Sequence, residues 1–404
     1  MYDLTSVRRD FPVLAREING KRNTFLDSAA SAQKPQVVID KIVDTYTKSY
    51  ANVHRGSYLL SEDITSEYEQ SRRIAQKFIN ARSEQEIVFT RNATESINLV
   101  AFTWGRKFLT KMDEVLISEA EHHANLVPWQ MLRDEIGFEL KIFKIKDDGS
   151  FDWEEYCKLL SGKTKLVAVT GMSNVLGTVF PLKEMICSAH EVGAKFLVDG
   201  CQYVVHKPTD VQDLDCDFLA FSGHKTYGPS GIGVLYGKYD LLNAMPPYQF
   251  GGDMVNVVTY QTTTFDVPPT RFEAGTPAIV QAIGLGAALE YMMNLGMSDI
   301  QQHEQELTDY MHQRLKEVDG LVEVGTAKEK GGVFSFLIDG IHPQDLAFIL
   351  DKEGVAVRVG HHCAAPLIRR MGYESLARAS FGLYSNKEDV DTFIMALQKA
   401  KTFF

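Results

Sequence analysis

Phe221-Ser-Gly-His-Lys-Thr-Tyr-Gly-Pro-Ser-Gly-Ile-Gly233 joins a short apolar run (218–221) to a second one, Val234-Leu-Tyr236, through a glycine-rich turn. The lysine in that turn, Lys225, is poorly placed to be an ordinary surface charge. Working outward, Ile87-Val-Phe89, Val115-Leu-Ile117, residues 140–145, Leu166-Val-Ala-Val169 and Phe196-Leu-Val198 read as further strands. Segments with helical spacing, such as 94–104 and 181–192, lie between them. Strand–helix alternation predicts an α/β fold with a mostly parallel central sheet covered on both faces.

At 404 residues the chain exceeds the usual limit for a single core, so two domains are expected. Around 250–273 the texture changes to a β-rich excursion, followed by long helices at 284–295 and 298–318. Strand-like runs resume at Val333-Phe-Ser-Phe-Leu-Ile338 and 355–359, with helices near 343–352 and from Lys387 onward. These patterns predict a large domain over 21–285 and a smaller α+β domain from 286–404, with residues 1–20 packed back onto it.

Bulk composition narrows the function class. Lys+Arg 42 against Asp+Glu 53 gives a net charge of −11, which argues against broad nucleic-acid binding. No apolar run is long enough to span a bilayer, and the first residues lack the apolar core of a signal peptide. The five scattered cysteines form no Cys-x-x-Cys pair, which fits a reducing compartment. The expectation is a cytoplasmic protein without membrane or nucleic-acid partners.

Several residues carry chemistry. Ser222 and His224 beside Lys225 offer donors to an anion, and Asp199 ends the apolar run 196–198. A lysine held near phosphate donors, together with a buried acid, suits pyridoxal 5'-phosphate: an imine-forming amine and a partner for the ring nitrogen. Thr94 opens a helix after the strand at 87–90, where free amides suit a phosphate; a simple helix cap answers the same residues. His122 and His123 follow the strand at 115–117, at the edge where α/β folds place ligands. There an imidazole can stack on a flat ring or move protons, or merely support the fold. Asn174 and Gln202 fall at the same edge. Cys363, in Val355-Ala-Val-Arg-Val-Gly-His-His-Cys-Ala-Ala-Pro366, lies in a short polar loop, where His361 and His362 would favour the reactive thiolate. Arg358 and Arg378 sit in strand-like segments, where a substrate carboxylate or an internal ion pair would satisfy either guanidinium.

Taken together, the chain resembles the SufS-type, group II cysteine desulfurases of the class-V aminotransferase family, fold-type I enzymes that use pyridoxal phosphate. The resemblance runs nearly end to end. It rests on Leu26-Asp-Ser-Ala-Ala30, Asn52-Val-His-Arg-Gly56, Glu121-His-His-Ala-Asn125, Val127-Pro-Trp-Gln130 and Ser173-Asn-Val-Leu-Gly-Thr178. Val198-Asp-Gly-Cys-Gln202, Ser222-Gly-His-Lys225, Arg271-Phe-Glu-Ala-Gly-Thr-Pro277 and Arg358-Val-Gly-His-His-Cys363 complete it. The resemblance implies that Lys225 binds the cofactor covalently and moves the Cα proton. It implies that His122 stacks on the ring, Asp199 meets the pyridinium nitrogen and Gln202 the ring hydroxyl. Thr94, Ser222 and His224 would hold the phosphate, joined by Thr276 of the partner subunit in a homodimer. Arg378, helped by Asn174, would hold the carboxylate of L-cysteine, with Arg358 beside Cys363. Cys363 would take the sulfur as a persulfide and release L-alanine.

The resemblance also implies a sulfur acceptor serving Fe–S cluster assembly. His342, in Asp339-Gly-Ile-His-Pro-Gln-Asp345, matches a position that favours a zinc-containing SufU-like acceptor over a SufE-like one. Cys201 departs from the usual alanine and places a second thiol near the cofactor. Selenocysteine lyase and cysteine sulfinate desulfinase are the nearest rival activities, and a His-His-Cys metal site is a more distant one.

Overall fold

The computed structural model describes residues 2–404. Seven strands form the main sheet: β1 (Ile87–Thr90), β2 (Glu114–Ser118), β3 (Glu139–Phe143), β4 (Thr164–Thr170), β5 (Lys195–Asp199), β6 (Phe218–Ser222) and β7 (Gly233–Gly237). Their order is β1-β7-β6-β5-β4-β2-β3, and β7 alone runs against the direction of the other six. The expected mostly parallel α/β sheet is what forms.

The residue pattern explains the two covered faces. In β4, Leu166 and Ala168 enter one apolar cluster while Val167 and Val169 enter another on the opposite side. Side chains alternate across a strand, so a continuous apolar run is stable only where both faces are packed. The helix Leu182–Glu191 supplies Met185 and Ile186 to one cluster; Ala93–Val100 and Val127–Ile136 supply Ile97, Trp129 and Leu132 to the other. Edge strand β3 is partly exposed and carries Glu139 and Lys141, charges that discourage pairing with a further strand.

A second, four-stranded antiparallel sheet comprises β8 (Leu321–Val324), β9 (Val333–Ile338), β10 (Arg358–Gly360) and β11 (Leu376–Ser380), in the order β8-β9-β11-β10. The helices Met297–Leu315, Pro343–Lys352 and Lys387–Lys401 bury Leu307, Leu346 and Phe393 against Phe334 and Phe336 of β9. Near the N-terminus, Arg8 pairs with Asp389 at 2.7 Å.

Three local readings change. The run expected as one strand at 355–359 divides: Val355–Ala356 pairs in parallel with Thr24–Phe25, whereas Arg358–Gly360 joins β11. The helix expected from 284 begins at Ile279 and continues to Leu295, packing on Leu59–Phe78 and Gln36–Asp44, so residue 285 lies inside it. The helix after β1 ends at Val100 and widens into a π turn at Ala101–Gly105. The excursion near 257–265 is a hairpin of Val255–Val258 and Thr263–Phe265.

Candidate active site

The carboxyl edge of the parallel strands builds most of the site, as expected where a parallel sheet meets its loops. Strand β5 ends in Asp199, only 3% exposed, whose Oδ1 accepts the Cys201 amide at 3.0 Å. Strand β6 ends in Ser222, and the turn beyond it delivers His224 and Lys225. The Ser222 hydroxyl accepts the Ala93 amide at 2.9 Å, tying this turn to the start of the helix Ala93–Val100. Gly233 permits that approach: a Cβ there would lie 2.6 Å from the Asn92 Cα. Asn92 caps the helix by accepting the Glu95 amide at 2.9 Å, and the amide of Thr94 in the same first turn has no intrahelical acceptor. Cap and anion site are therefore compatible readings of this helix start.

Lys225, Asp199, Ser222, His224 and Thr94 line one cavity of about 240 Å³ with His122, Asn174 and Gln202. Arg358, Arg378 and Cys363 reach the same cavity from the smaller sheet and the loop after it. Two expected site residues lie elsewhere in the chain. Thr276 lines a separate hollow with Tyr68 and Glu273. His342 is an exposed N-cap whose Nδ1 accepts the Gln344 amide at 3.2 Å.

Electrostatics set the protonation of these groups. Burial, followed by the Lys225 charge, holds His122 down at about 4, so it is neutral near pH 7. Its Nδ1 accepts the Ala124 amide at 3.0 Å, which leaves the ring proton on Nε2. Burial and the cations of Lys225 and Lys34 likewise hold His224 at about 4. Below the strand ends, Glu121 is fully enclosed and pushed up to about 8 by burial, so it is protonated at neutral pH. It binds the Ser118 hydroxyl at 2.5 Å, Asn125 Nδ2 at 2.7 Å and the Thr170 amide at 3.0 Å. Glu121 thereby ties the ends of β2 and β4 to the segment bearing His122.

The Cys363 loop is held by the larger sheet's own loops. Asn174 Nδ2 donates to the His362 carbonyl at 2.8 Å, and the His123 amide donates to the Cys363 carbonyl at 2.7 Å. The His123 ring in turn accepts the Ala365 amide at 3.1 Å. These clamps support two successive residues, His362 and Cys363, at φ 49° and 55°. Side-chain-bearing residues adopt that region at a cost of about 1–3 kcal/mol each, and such strain collects at functional loops. Cys363 stays exposed.

His362 departs from its expected part. It is buried, bonds the Leu376 carbonyl at 3.1 Å through Nε2, and is held down to about 3 by burial and Arg378. It cannot supply a cation to the thiol; the basic side chains that line the cavity with Cys363 are Lys225, Arg358 and Arg378. Arg378 donates through Nη1 to the Asn174 carbonyl at 2.8 Å and through Nη2 to Asp27 at 3.2 Å. Burial lifts the Asp27 carboxyl and lowers Arg378 to about 10, which keeps the arginine cationic at neutral pH. Asp27 and Glu121 were not assigned parts from sequence, although both lie within quoted motifs; of the parts open to His123, it takes the structural one, holding the Cys363 loop.

The donor set fits pyridoxal 5'-phosphate. Lys225 supplies a primary amine, Asp199 a buried acid at the cavity, and the helix start with Ser222 and His224 a ring of donors for a phosphate. Gln202 lines the same cavity, with its Nε2 donating to the Ala29 carbonyl at 2.9 Å. Among the described residues, no group of three or more His, Cys, Asp or Glu side chains is placed to hold a metal. Nor is any described helix long and apolar enough to cross a membrane.

Comparison with known proteins agrees. The family model of class-V aminotransferases matches residues 24–393. The chain is 49% identical to a cysteine desulfurase of Pectobacterium atrosepticum over 98% of both proteins. It is 51% identical to one of Dickeya dadantii, over 98% of this chain and 97% of that one. Among solved structures, it is similar to the Escherichia coli cysteine desulfurase CsdA, with a TM-score of 0.93 and 37% identity over 100% of both chains. A cysteine desulfurase of Thermococcus onnurineus, solved in its apo form, superposes with a TM-score of 0.94 at 37% identity, over 99% of this chain and 98% of that one. Matched over this span and at these identities, the chain belongs to the class-V aminotransferase family, where its relatives are the cysteine desulfurases.

Proposed function

We propose that this protein is a pyridoxal-phosphate-dependent cysteine desulfurase that converts L-cysteine to L-alanine and takes the sulfur as a persulfide on Cys363. The supporting observation is the single cavity that joins Lys225 and Asp199 to Cys363 and Arg378. The bound cofactor supplies an electron sink for the negative charge that develops at the substrate Cα.

The chain's own residues do the rest. Arg378, cationic and buried, holds the substrate carboxylate and so fixes which face of Cα meets Lys225. The Lys225 amine would hold the cofactor and is the group placed to move the substrate Cα proton. His122, a neutral ring lining the same cavity, would help hold the cofactor by stacking and offers its Nε2–H as a proton source. Asp199 would pair with the pyridine nitrogen and favour its protonated form, and Thr94, Ser222 and His224 would hold the phosphate. The Cys363 thiolate, beside Arg358, attacks the substrate sulfur. A sulfur–sulfur bond forms as the carbon–sulfur bond breaks, and its electron pair stays on the carbon skeleton, which is protonated to alanine.

The reading extends to a cytoplasmic homodimer in which Thr276 of the partner subunit completes the phosphate site, with a small domain (1–20 and 286–404) carrying the Cys363 loop. The sulfur then passes to an acceptor for Fe–S cluster assembly. An exposed His342 at a helix start supports a SufU-like acceptor over a SufE-like one. The deciding experiment follows alanine release from L-cysteine in wild type and Cys363→Ala, with selenocysteine and cysteine sulfinate alongside. Loss of cysteine turnover in the variant is expected; a full rate without the thiol ends this mechanism. Persulfide transfer to SufU-like and SufE-like proteins, repeated with His342→Ala, tests the acceptor.

A further inference from the structure

Lys225 enters the cavity from a turn that is gripped from outside on both sides. The His224 carbonyl belongs to the same planar peptide as the Lys225 amide, so holding that oxygen holds the plane from which the Lys225 Cα departs. Three donors converge on it: the Ala32 amide at 3.1 Å, the Ser31 hydroxyl at 3.3 Å and the Lys34 ammonium at 2.9 Å. A carbonyl oxygen offers two lone pairs, so this one is fully engaged. Beyond the lysine, Tyr227 is buried at φ 60°, and its hydroxyl accepts the Leu383 amide at 2.9 Å.

Lys34 is the charged member of that grip. Its ammonium donates to the Ala32 carbonyl at 2.7 Å as well as to His224. Burial brings it down to about 8, and no carboxylate among the described residues offsets that burial. Bonds from a cation to a carbonyl are stronger than those between neutral groups, so Lys34 supplies the firmest of the three contacts. The same segment is tied to the strand that bears Arg378. The Ser28 amide donates to the Ser380 carbonyl at 3.4 Å and the Ala29 amide to the Ser380 hydroxyl at 3.0 Å, and Ser380 ends β11 just past Arg378. Residues 28–34 therefore form a strap, bonded at one end to β11 and at the other to the peptide that precedes Lys225.

We propose that Lys34 is a positioning residue for Lys225: through the His224 carbonyl it keeps the turn in register with β11, so that the Lys225 amine meets the Cα of a substrate whose carboxylate is held by Arg378. The inference rests on the reading of Lys225 as the mover of the Cα proton and of Arg378 as the carboxylate holder. Lys34 is not among the residues lining the cavity and acts through the backbone.

L-Alanine separates binding from proton transfer, because it has the carboxylate and the Cα hydrogen but no sulfur for Cys363 to take. Its affinity for the holoenzyme is read from cofactor absorbance, and proton transfer from exchange of its Cα hydrogen in heavy water, followed by NMR. In Lys34→Met the exchange rate at saturating alanine should fall by about tenfold to a hundredfold, the scale for a misplacement of about 1 Å, while the affinity stays at the wild-type value. In the protein without cofactor, amide hydrogen exchange over residues 222–228 should speed up in the same variant. Wild-type exchange of alanine, a parallel loss of affinity and exchange, or unaltered amide protection over 222–228 each overturns the proposal. If Lys34→Met does not load cofactor, Ser31→Ala, which removes a neutral donor to the same carbonyl, decides. Slower exchange of alanine at wild-type affinity then supports the proposal, and any other result overturns it. Lys225→Ala tells the two readings apart. Should it exchange the Cα hydrogen at the wild-type rate, the part given to Lys225 fails and this inference with it; should it abolish exchange while Lys34→Met does not slow it, this inference alone fails.

Discussion

The two halves of the cavity are built on opposite physical terms. On the side of the main sheet, the side chains sit at the ends of buried parallel strands: Asp199 is 3% exposed and Ser222 4%. There burial does chemical work, holding His122 and His224 neutral and Glu121 protonated. On the other side, Cys363 is exposed, in a left-handed backbone conformation, on a loop whose anchors come from Asn174 and His123. A cofactor platform must hold its groups still and dry. In the proposed reaction the thiol would have to reach both the substrate and an outside acceptor, which suits a side chain that is exposed and positioned through its backbone.

Removing Lys225 attacks the platform itself. Lys225→Ala should lower L-cysteine turnover by about 10²–10⁴-fold or more, the range for loss of a positioned acid–base group, and weaken retention of the cofactor colour on gel filtration. A variant that keeps wild-type turnover would break the contrast, because the platform would then not be where the substrate is activated.

Loosening the loop should have a smaller effect of a different kind. Asn174→Ala removes the side-chain bond to the His362 carbonyl and keeps the backbone carbonyl that Arg378 binds, so turnover should fall by about tenfold. Cofactor absorbance should persist while the alkylation rate of Cys363 changes. If the alkylation rate and turnover both stay at wild-type values, the loop does not depend on this anchor.

The smallest effect is on stability. The folded-state value of Glu121, about 8, lies above its ordinary 4.5. Its contribution is therefore full below pH 4.5 and is lost as pH rises toward 8. In Glu121→Gln, the difference in unfolding midpoint from wild type should move in the variant's favour across that window. A pH-independent difference would show that Glu121 is ionised in the folded protein.

Much of the platform was readable because its signals are local. Apolar runs 87–89, 115–117 and 166–169 became β1, β2 and β4, and Asp199, Ser222 and Lys225 follow strands directly, so order along the chain predicts a shared edge. The smaller half was harder. The apolar run 355–359 hid a break, because a parallel partner from Thr24–Phe25 claims only its first part. His362 looked like a charged neighbour of Cys363, yet its direction depends on the loop's left-handed backbone, which turns it toward the Leu376 carbonyl.

Local patterning thus sufficed for the class of fold and for choosing Lys225, Asp199 and Cys363 as candidates, which one cavity brings together, since each lies within a few positions of a strand end. The charge balance around Arg358 and Arg378 was not readable in that way. Asp27 reaches the arginines from the far end of the chain, through strand pairing between segments more than 300 residues apart in sequence (Asp27 and Ser380). Contacts over such separations depend on sheet register and on how two cores pack together, and no short stretch of residues encodes either.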